Sequence, residues 1–234
     1  MAANRKLLAA AVVCAAAVVG VTGCSSDGDN DPFKGKSADQ IAKKAINASK
    51  GAGSFKVTGK GEQQGKPMQV DFAVAKSDDC QGKTGSPSTG MGEILVSGKS
   101  SYFKGDDKFW KSTGSSALGA KLKGRWMKSP QGQTAKTCDR DQMFESKGLK
   151  GLERGDDAEI DGKKTAVLTK KDGGQTVTYH VALDGKPYFL EIDKKGGNDP
   201  VKLNFSDYGK PVVVKAPAAD EVVEQDDLKK LMGS

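Results

Sequence analysis

The sequence has little of what enzymes and metal proteins commonly use. Among 234 residues there is one histidine, His180, and there are four cysteines. Any histidine-dependent acid–base or triad scheme therefore rests on His180, which lies on the polar face of a predicted strand and is expected to be exposed to solvent. No Gly-x-Ser-x-Gly nucleophile elbow occurs, and so few histidines and cysteines cannot supply the usual metal ligands. The sequence predicts a protein that is not an enzyme and has no metal or cofactor.

Arginine is also scarce, with four residues within a total of 37 lysines and arginines. Bidentate recognition of nucleic-acid bases favours arginine, and no aromatic stacking platform accompanies the lysines. We therefore expect no nucleic-acid partner, although the formal net charge is +7. Scattered lysines solvate a surface and can add a weak attraction to anionic lipid headgroups or wall polymers.

Long hydrophobic runs are absent except near the N-terminus. Residues 7–20 form a nearly continuous run of leucine, alanine and valine, which follows Arg5 and Lys6. A positive start, a short apolar run and small residues before a cleavage point are typical of a secretory signal peptide. No second segment approaches the length of about 20 residues that spans a membrane. The sequence therefore predicts an exported protein with a signal peptide at residues 1–23.

The end of this segment, Val21-Thr22-Gly23-Cys24, resembles the bacterial lipobox. In that motif the cysteine takes a lipid on its sulfur and becomes the first residue of the mature chain. We therefore predict lipidation at Cys24 and attachment to the outer face of the cell membrane through the lipid alone. A plain signal peptide and an N-terminal anchor helix are the alternatives.

The remaining cysteines are few enough to assign by elimination. Cys14 leaves with the signal peptide and Cys24 is lipidated, so Cys80 and Cys138 stay together in an oxidising compartment. A disulfide between them is the natural interpretation, and two free thiols are the alternative.

After Cys24 the composition divides the chain into a tether and one domain. Residues 24–36 are rich in serine, aspartate, glycine and asparagine, which predicts a flexible tether. Ser37-Ala38-Asp39-Gln40 has the form of a capping box, and an apolar stripe at helical spacing follows it. The sequence has no further break of linker type, so we predict a single domain over residues 37–234.

From residue 54 the hydrophobic period changes to two, and glycine-rich turns separate the alternating runs. This pattern predicts an antiparallel meander of about ten strands, with middle strands at 93–96, 101–104 and 108–111. Helices are expected over 114–123, from 139 to 145 or 148, and over 220–231. Each strand has one apolar face, so the sheet must cover that face, close on itself or leave a groove.

Several segments together carry a family resemblance. They are the lipobox, the tether, the Ser37–Gln40 helix start, the first strand Gly53-Ser54-Phe55-Lys56-Val57, and the exit over 201–211 with Ala216-Pro217. In these segments and in the order of helix and hairpins, the chain resembles actinobacterial lipoproteins of the LppX/LprG type. The resemblance implies an α+β fold of the LolA/LolB kind, a long antiparallel sheet curved into a half-open barrel with helices covering its concave face. It also implies a lipid or glycolipid carried in an apolar cavity.

The predicted function is therefore a membrane-anchored extracytoplasmic lipoprotein that binds or carries a lipid or other amphipath. The alternative is a non-enzymatic envelope scaffold or sensor that acts through protein contacts. The residues expected to face the cavity follow from strand alternation alone, and any one of them could equally be a core residue. They are Val57, Met68, Val70, Phe72, Val177, Tyr179, Val181, Leu203 and Phe205.

Overall fold

The structure is a computed structural model that describes residues 31–129, 138–146, 148–224, 227, 228 and 230. The predicted signal peptide, Cys24 and most of the predicted tether lie outside the described residues. In the described part of the chain, no helix has both the length and the apolar character needed to cross a bilayer. From Pro32 onward the chain forms one compact unit.

Four α-helices and thirteen strands make up the described chain. In order they are α1 (Ala38–Gly51), β1 (Phe55–Gln63), β2 (Lys66–Val74), β3 (Cys80–Ser86), β4 (Gly90–Ser97), β5 (Ser100–Gly105), α2 (Asp107–Ser112), α3 (Ser116–Leu122), β6 (Trp126–Lys128), α4 (Arg140–Met143), β7 (Glu153–Arg154), β8 (Ala158–Ile160), β9 (Lys163–Asp172), β10 (Gln175–Ala182), β11 (Phe189–Lys195), β12 (Val201–Ser206) and β13 (Val222–Val223). A 3-10 turn at Ala219–Glu221 precedes β13.

All the strands belong to one open sheet. Its order is β13-β6-β5-β4-β3-β2-β1-β12-β11-β10-β9-β7, with β8 also paired to β9. Neighbouring strands are antiparallel except for β13, which pairs parallel to β6. This is the predicted α+β class, an antiparallel sheet that does not close on itself and that has helices packed against it.

Helix α1 follows from its sequence. The Ser37 hydroxyl accepts a hydrogen bond from the Gln40 amide, and the Gln40 side chain accepts one from the Ser37 amide, so the predicted capping box is present. The apolar stripe is buried and packs towards β10 and β11; it consists of Ile41, Ala42, Ala45 and Ile46. The helix covers part of one face of the sheet, which we call the inner face.

The segment that begins at Cys138 crosses the inner face, and we call residues 138–146 and 148–152 the strap. At its start, Cys138 forms a disulfide with Cys80 of β3 across 58 residues of sequence, and the two Cα atoms are 6.0 Å apart. The Arg140 guanidinium donates hydrogen bonds to the carbonyls of Gly53 and Lys76 and to the Asp78 carboxylate. Three apolar strap side chains are buried in the core: Phe144, Leu149 and Leu152.

A second, smaller core lies at the β5–β6 end of the sheet. Trp110 of α2, Leu122 of α3 and Val223 of β13 are buried there, with Phe103 and Phe109 packed against them. The Trp110 indole donates a hydrogen bond to the Gly105 carbonyl at 2.9 Å. The two cores share no residue, so the covering helices are divided between two separate clusters.

One predicted strand is a helix. Residues 108–111 were expected to be extended, but they lie in α2, because the Asp106 carboxylate accepts a hydrogen bond from the Phe109 amide and caps the helix. The predicted helix over 114–123 is present as α3, and Asp139 caps α4, which ends at Met143 before the predicted end.

Two predictions at the ends of the domain were wrong in part. In the predicted C-terminal helix over 220–231, the first residues form a 3-10 turn and β13 instead, whereas residues 227, 228 and 230 are helical as predicted; residues 225, 226, 229 and 231–234 lie outside the described residues. The predicted tether to residue 36 is too long at its C-terminal end, because Phe33 is only 3% exposed and belongs to the main core. Burial of the apolar Phe33 ring removes its surface from water, which stabilises a packed position over a flexible one.

Candidate functional site

The inner face carries all nine residues that alternation assigns to a cavity. Val57 of β1 lies opposite Phe72 of β2 and Phe205 of β12, so the three side chains point to the same face. The register continues from Leu203 through β11 to Tyr179 of β10, which places the β10 candidates on this face as well. The sequence therefore brings the predicted residues together.

One half of the inner face is closed by the protein itself. Val57, Phe72, Val181 and Phe205 are at most 4% exposed and lie in the core with α1 and the strap. The Phe144 ring of the strap lies 5.3 Å from the Phe205 ring, measured between centroids, and stacks on Phe189 at 6.1 Å. In this half the alternating residues are core residues.

The other half of the inner face is partly open. Val70, Tyr179 and Leu203 are half-buried and pack against the edge of the main core, whereas Met68 and Val177 are half-buried and belong to neither described cluster. Burial raises the pKa of the Tyr179 hydroxyl, so this side chain stays neutral at physiological pH. These five residues form a half-exposed apolar surface, which we call the open strip.

A cavity of about 510 Å³ opens between α1 and the strap, and we call it the α1–strap groove. Its floor is apolar, because Ile46 and Leu149 are buried members of the main core. Its rim is polar and consists of Asp39, Lys43, Asn47, Lys50, Ser146 and Lys150. The volume lies within the range of small-molecule sites, roughly 300–1,000 Å³.

Hydrogen bonds fix the acidic groups on and beside the groove. The Asp39 carboxylate accepts hydrogen bonds from the amides of Leu152 at 2.9 Å and Gly151 at 3.1 Å, which hold its pKa below the usual value. Lys50 contacts Asp141 at 2.9 Å and likewise lowers the pKa of that carboxyl. Asp39 therefore stays ionised and holds the end of the strap against α1.

His180 lies on the outer face, as predicted, but the prediction that it is solvent-exposed was wrong. Its side chain is 12% exposed, and Nδ1 lies 3.1 Å from the Thr165 hydroxyl. Nε2 lies 3.9 Å from the Glu191 carboxylate, whose other oxygen contacts Lys202 Nζ at 3.0 Å. Burial lowers the pKa of His180, so the ring is neutral at physiological pH.

The polar groups of this outer-face cluster interact with one another and with the backbone. The fully buried Thr165 hydroxyl donates a hydrogen bond to the Ala158 carbonyl, so it is not presented to a substrate. Lys202 compensates the buried Glu191 carboxylate, which would otherwise be costly to remove from water. Across the described residues, no three histidine, cysteine or acidic side chains come together in the manner of a metal site.

The strap is the element of the candidate site that sequence reasoning missed. Phe144, Leu149 and Leu152 have neither strand nor helix spacing, and the described residues between α4 and β7 form no helix or strand. The only signal was Cys138, because a predicted bond to Cys80 requires this stretch to reach the sheet. The role of Asp39 in holding the strap could not be inferred, since its partners lie more than 110 residues away.

Comparison with known proteins identifies the fold. The crystal structure of LprF from Mycobacterium bovis matches with a TM-score of 0.55 and 17% sequence identity, covering 78% of this chain and 97% of LprF. The Mycobacterium tuberculosis lipoprotein LppX matches with a TM-score of 0.53 and 14% identity, covering 76% of this chain and 98% of LppX. No family model and no curated protein sequence matches the chain. At these identities the likeness establishes the fold, which is that of the LppX/LprG-type lipoproteins.

Proposed function

We propose that this protein is an exported lipoprotein, anchored by a lipid on Cys24, that binds the acyl part of a lipid or other amphipath on its inner face. The observation that carries the proposal is the open strip, where half-exposed apolar side chains continue directly from the main core on an open sheet. The LppX/LprG-type fold and the sequence resemblance to that group point to the same kind of cargo.

The energetics of the open strip suit an acyl chain. Each methylene group that leaves water for an apolar surface contributes about 0.8 kcal/mol. A chain that covers Val70, Tyr179 and Leu203 would remove both its own surface and theirs from water. Ligand sites of this type are concave and mostly apolar, with few polar groups that fix orientation.

The closed half of the inner face supports the alternative function, an envelope scaffold or sensor. Phe144 and its aromatic neighbours fill that half with the protein's own side chains. If the open strip is only the edge of this core, the protein binds no lipid and acts through protein contacts. The two functions therefore differ in one measurable property, which is uptake of an amphipath.

We expect Val177→Asp to abolish the binding of a fluorescent fatty acid by the full chain. Val177 is half-buried on the open strip, and a carboxylate there would have to be desolvated beneath an acyl chain. The change should leave the fold intact, because Val177 belongs to neither described core cluster. Fatty-acid fluorescence measures binding, and far-ultraviolet circular dichroism checks the fold. Val181 is less suitable for this test because it is fully buried.

The matched control is Thr176→Asp, on the outer face of the same strand, between Lys171 and Lys195. It introduces the same charge one position away and should bind as the unchanged protein does. The carrier function is wrong if the unchanged full chain takes up no fatty acid and shows no lipid in native mass spectrometry.

We expect Cys24→Ala to remove the diacylglycerol mass from the exported protein, whereas Cys14→Ala should keep it. Only the cysteine at the cleavage point can take the thioether in the lipobox interpretation, and Cys14 leaves with the signal peptide. Intact-mass measurement of the membrane fraction distinguishes the two variants. An unchanged lipid mass in Cys24→Ala contradicts lipidation at this residue.

A further inference from the structure

The rim of the α1–strap groove carries more positive than negative charge. Three lysines line it, Lys43, Lys50 and Lys150, against one carboxylate, Asp39. Lys50 contacts Asp141, and the Asp39 carboxylate accepts the two strap amides. Lys43 and Lys150 are exposed, on opposite walls of the groove. Two cations therefore face each other across an apolar floor.

The outer face of the sheet also carries lysines, and several of them contact acidic groups. Lys83 and Lys104 contact Glu93, and Lys202 contacts Glu191. Two cavities there, of about 410 and 370 Å³, include Asp71 in their lining. The α1–strap groove differs from both in its floor, which two buried members of the main core form.

We propose that the α1–strap groove holds the acidic headgroup of the amphipath, with Lys43 and Lys150 contacting its phosphate or carboxylate. This inference rests on the proposed function and adds the class of ligand, an anionic amphipath. Ile46 and Leu149 lie against the first methylenes of the chain, where an apolar floor is needed. Ammonium groups that flank an acidic headgroup form charge-assisted hydrogen bonds, which are stronger than neutral ones.

The proposed lipid anchor on Cys24 would keep the domain close to a membrane. Lysines close to an anionic surface are attracted to its headgroups. The membrane is therefore the source of the ligand that this inference names.

The test compares two probes with the same palmitoyl chain, palmitoyl lysophosphatidylglycerol and the neutral monopalmitoylglycerol. Native mass spectrometry of the full chain, released from a non-ionic detergent, measures the bound fraction of each. We expect at least about tenfold tighter binding of the anionic probe, because it adds charge-assisted contacts. The double variant Lys43→Gln with Lys150→Gln should lose this preference and keep its affinity for the neutral probe.

The control is the double variant Lys66→Gln with Lys99→Gln, which removes the same charge from exposed hairpin positions outside the groove lining. It should retain the preference for the anionic probe. Equal binding of both probes by the unchanged protein, or no effect of the groove variant, overturns the headgroup inference and leaves the carrier function standing. Binding of neither probe overturns both the headgroup inference and the carrier function.

Inorganic phosphate is the third probe. If it occupies the groove alone and displaces the lysolipid at equal concentration, the site is for free anions and the headgroup inference is wrong.

Discussion

Replacing Cys80 and Cys138 together by alanine is expected to lower the free energy of unfolding by about 4 kcal/mol, the value that the chain-entropy model gives for a loop of this length. The disulfide closes 58 residues of sequence, so its loss frees a long segment of the unfolded chain. It also releases the start of the strap from β3. Denaturant unfolding followed by circular dichroism measures the change.

Reduction of the unchanged protein provides the control for this variant. It breaks the same bond without altering either side chain, so it should reproduce most of the loss of stability. Peptide mapping without reductant should show the two cysteine peptides joined. Complete alkylation of both thiols in the native, unreduced protein would refute the bond itself.

Phe144→Ala is expected to cost about 3–5 kcal/mol, the usual range when a buried phenylalanine is truncated. The Phe144 ring is 2% exposed and lies within 6.1 Å of the rings of Phe55, Phe189 and Phe205, measured between centroids. The Cys138 disulfide and the hydrogen bond from Leu152 to Asp39 hold the strap on both sides of Phe144. The backbone therefore cannot collapse into the space that the ring leaves. Thermal and denaturant unfolding both report the loss.

The same variant separates the two candidate functions. The vacated volume adjoins the inner face, so a carrier should gain room for an acyl chain, and fatty acid should raise the unfolding midpoint of Phe144→Ala more than that of the unchanged protein. Phe109→Ala is the control, since it truncates a phenylalanine in the second core, which lies at the β5–β6 end of the sheet and shares no residue with the core around Phe144. If fatty acid shifts the midpoint of neither Phe144→Ala nor the unchanged protein, the carrier function fails and the scaffold takes its place.

The parts of the fold that the sequence predicts are those that local chemistry determines. Helix α1 is fourteen residues long, and its cap, its apolar stripe and its end lie within it or directly beside it. The β1–β2 and β9–β10 hairpins combine strict alternation with glycine turns, and their pairing partners are neighbours in sequence. These elements can be placed without knowing any contact to residues that are distant in the sequence.

Strand β3 shows why other parts could not be predicted. Cys80–Ser86 has two glycines and no apolar alternation, yet it is a central strand. A Cβ at Gly82 would lie 2.4 Å from the Phe72 ring, so the glycine makes room for an aromatic side chain of the next strand. The short β13 is similar, since its parallel partner β6 lies about a hundred residues earlier.

The sequence predicts which face of the sheet the candidate residues occupy, but it does not predict how deeply each of them is buried. Alternation correctly assigns Val57, Val177 and Leu203 to one face, because side chains on a strand alternate strictly. Whether each is buried depends on the strap, whose position is set by Cys80, Gly53 and Asp39 in distant elements. The two-residue hydrophobic period alone therefore cannot distinguish a core residue from a residue on the open strip.

The two ends of the strap are held by bonds of different kinds. At Cys138 the connection is a disulfide, and the Arg140 guanidinium reinforces it. At the other end the amides of Gly151 and Leu152 donate hydrogen bonds to the Asp39 carboxylate, and the chain then enters β7, which pairs with β9. Because these hydrogen bonds lower the pKa of Asp39 in the folded protein, their contribution to stability is fully present above the ordinary carboxyl pKa and is lost as the pH falls through the lowered value. A reductant therefore weakens the strap at its Cys138 end, whereas acid weakens it at its Asp39 end.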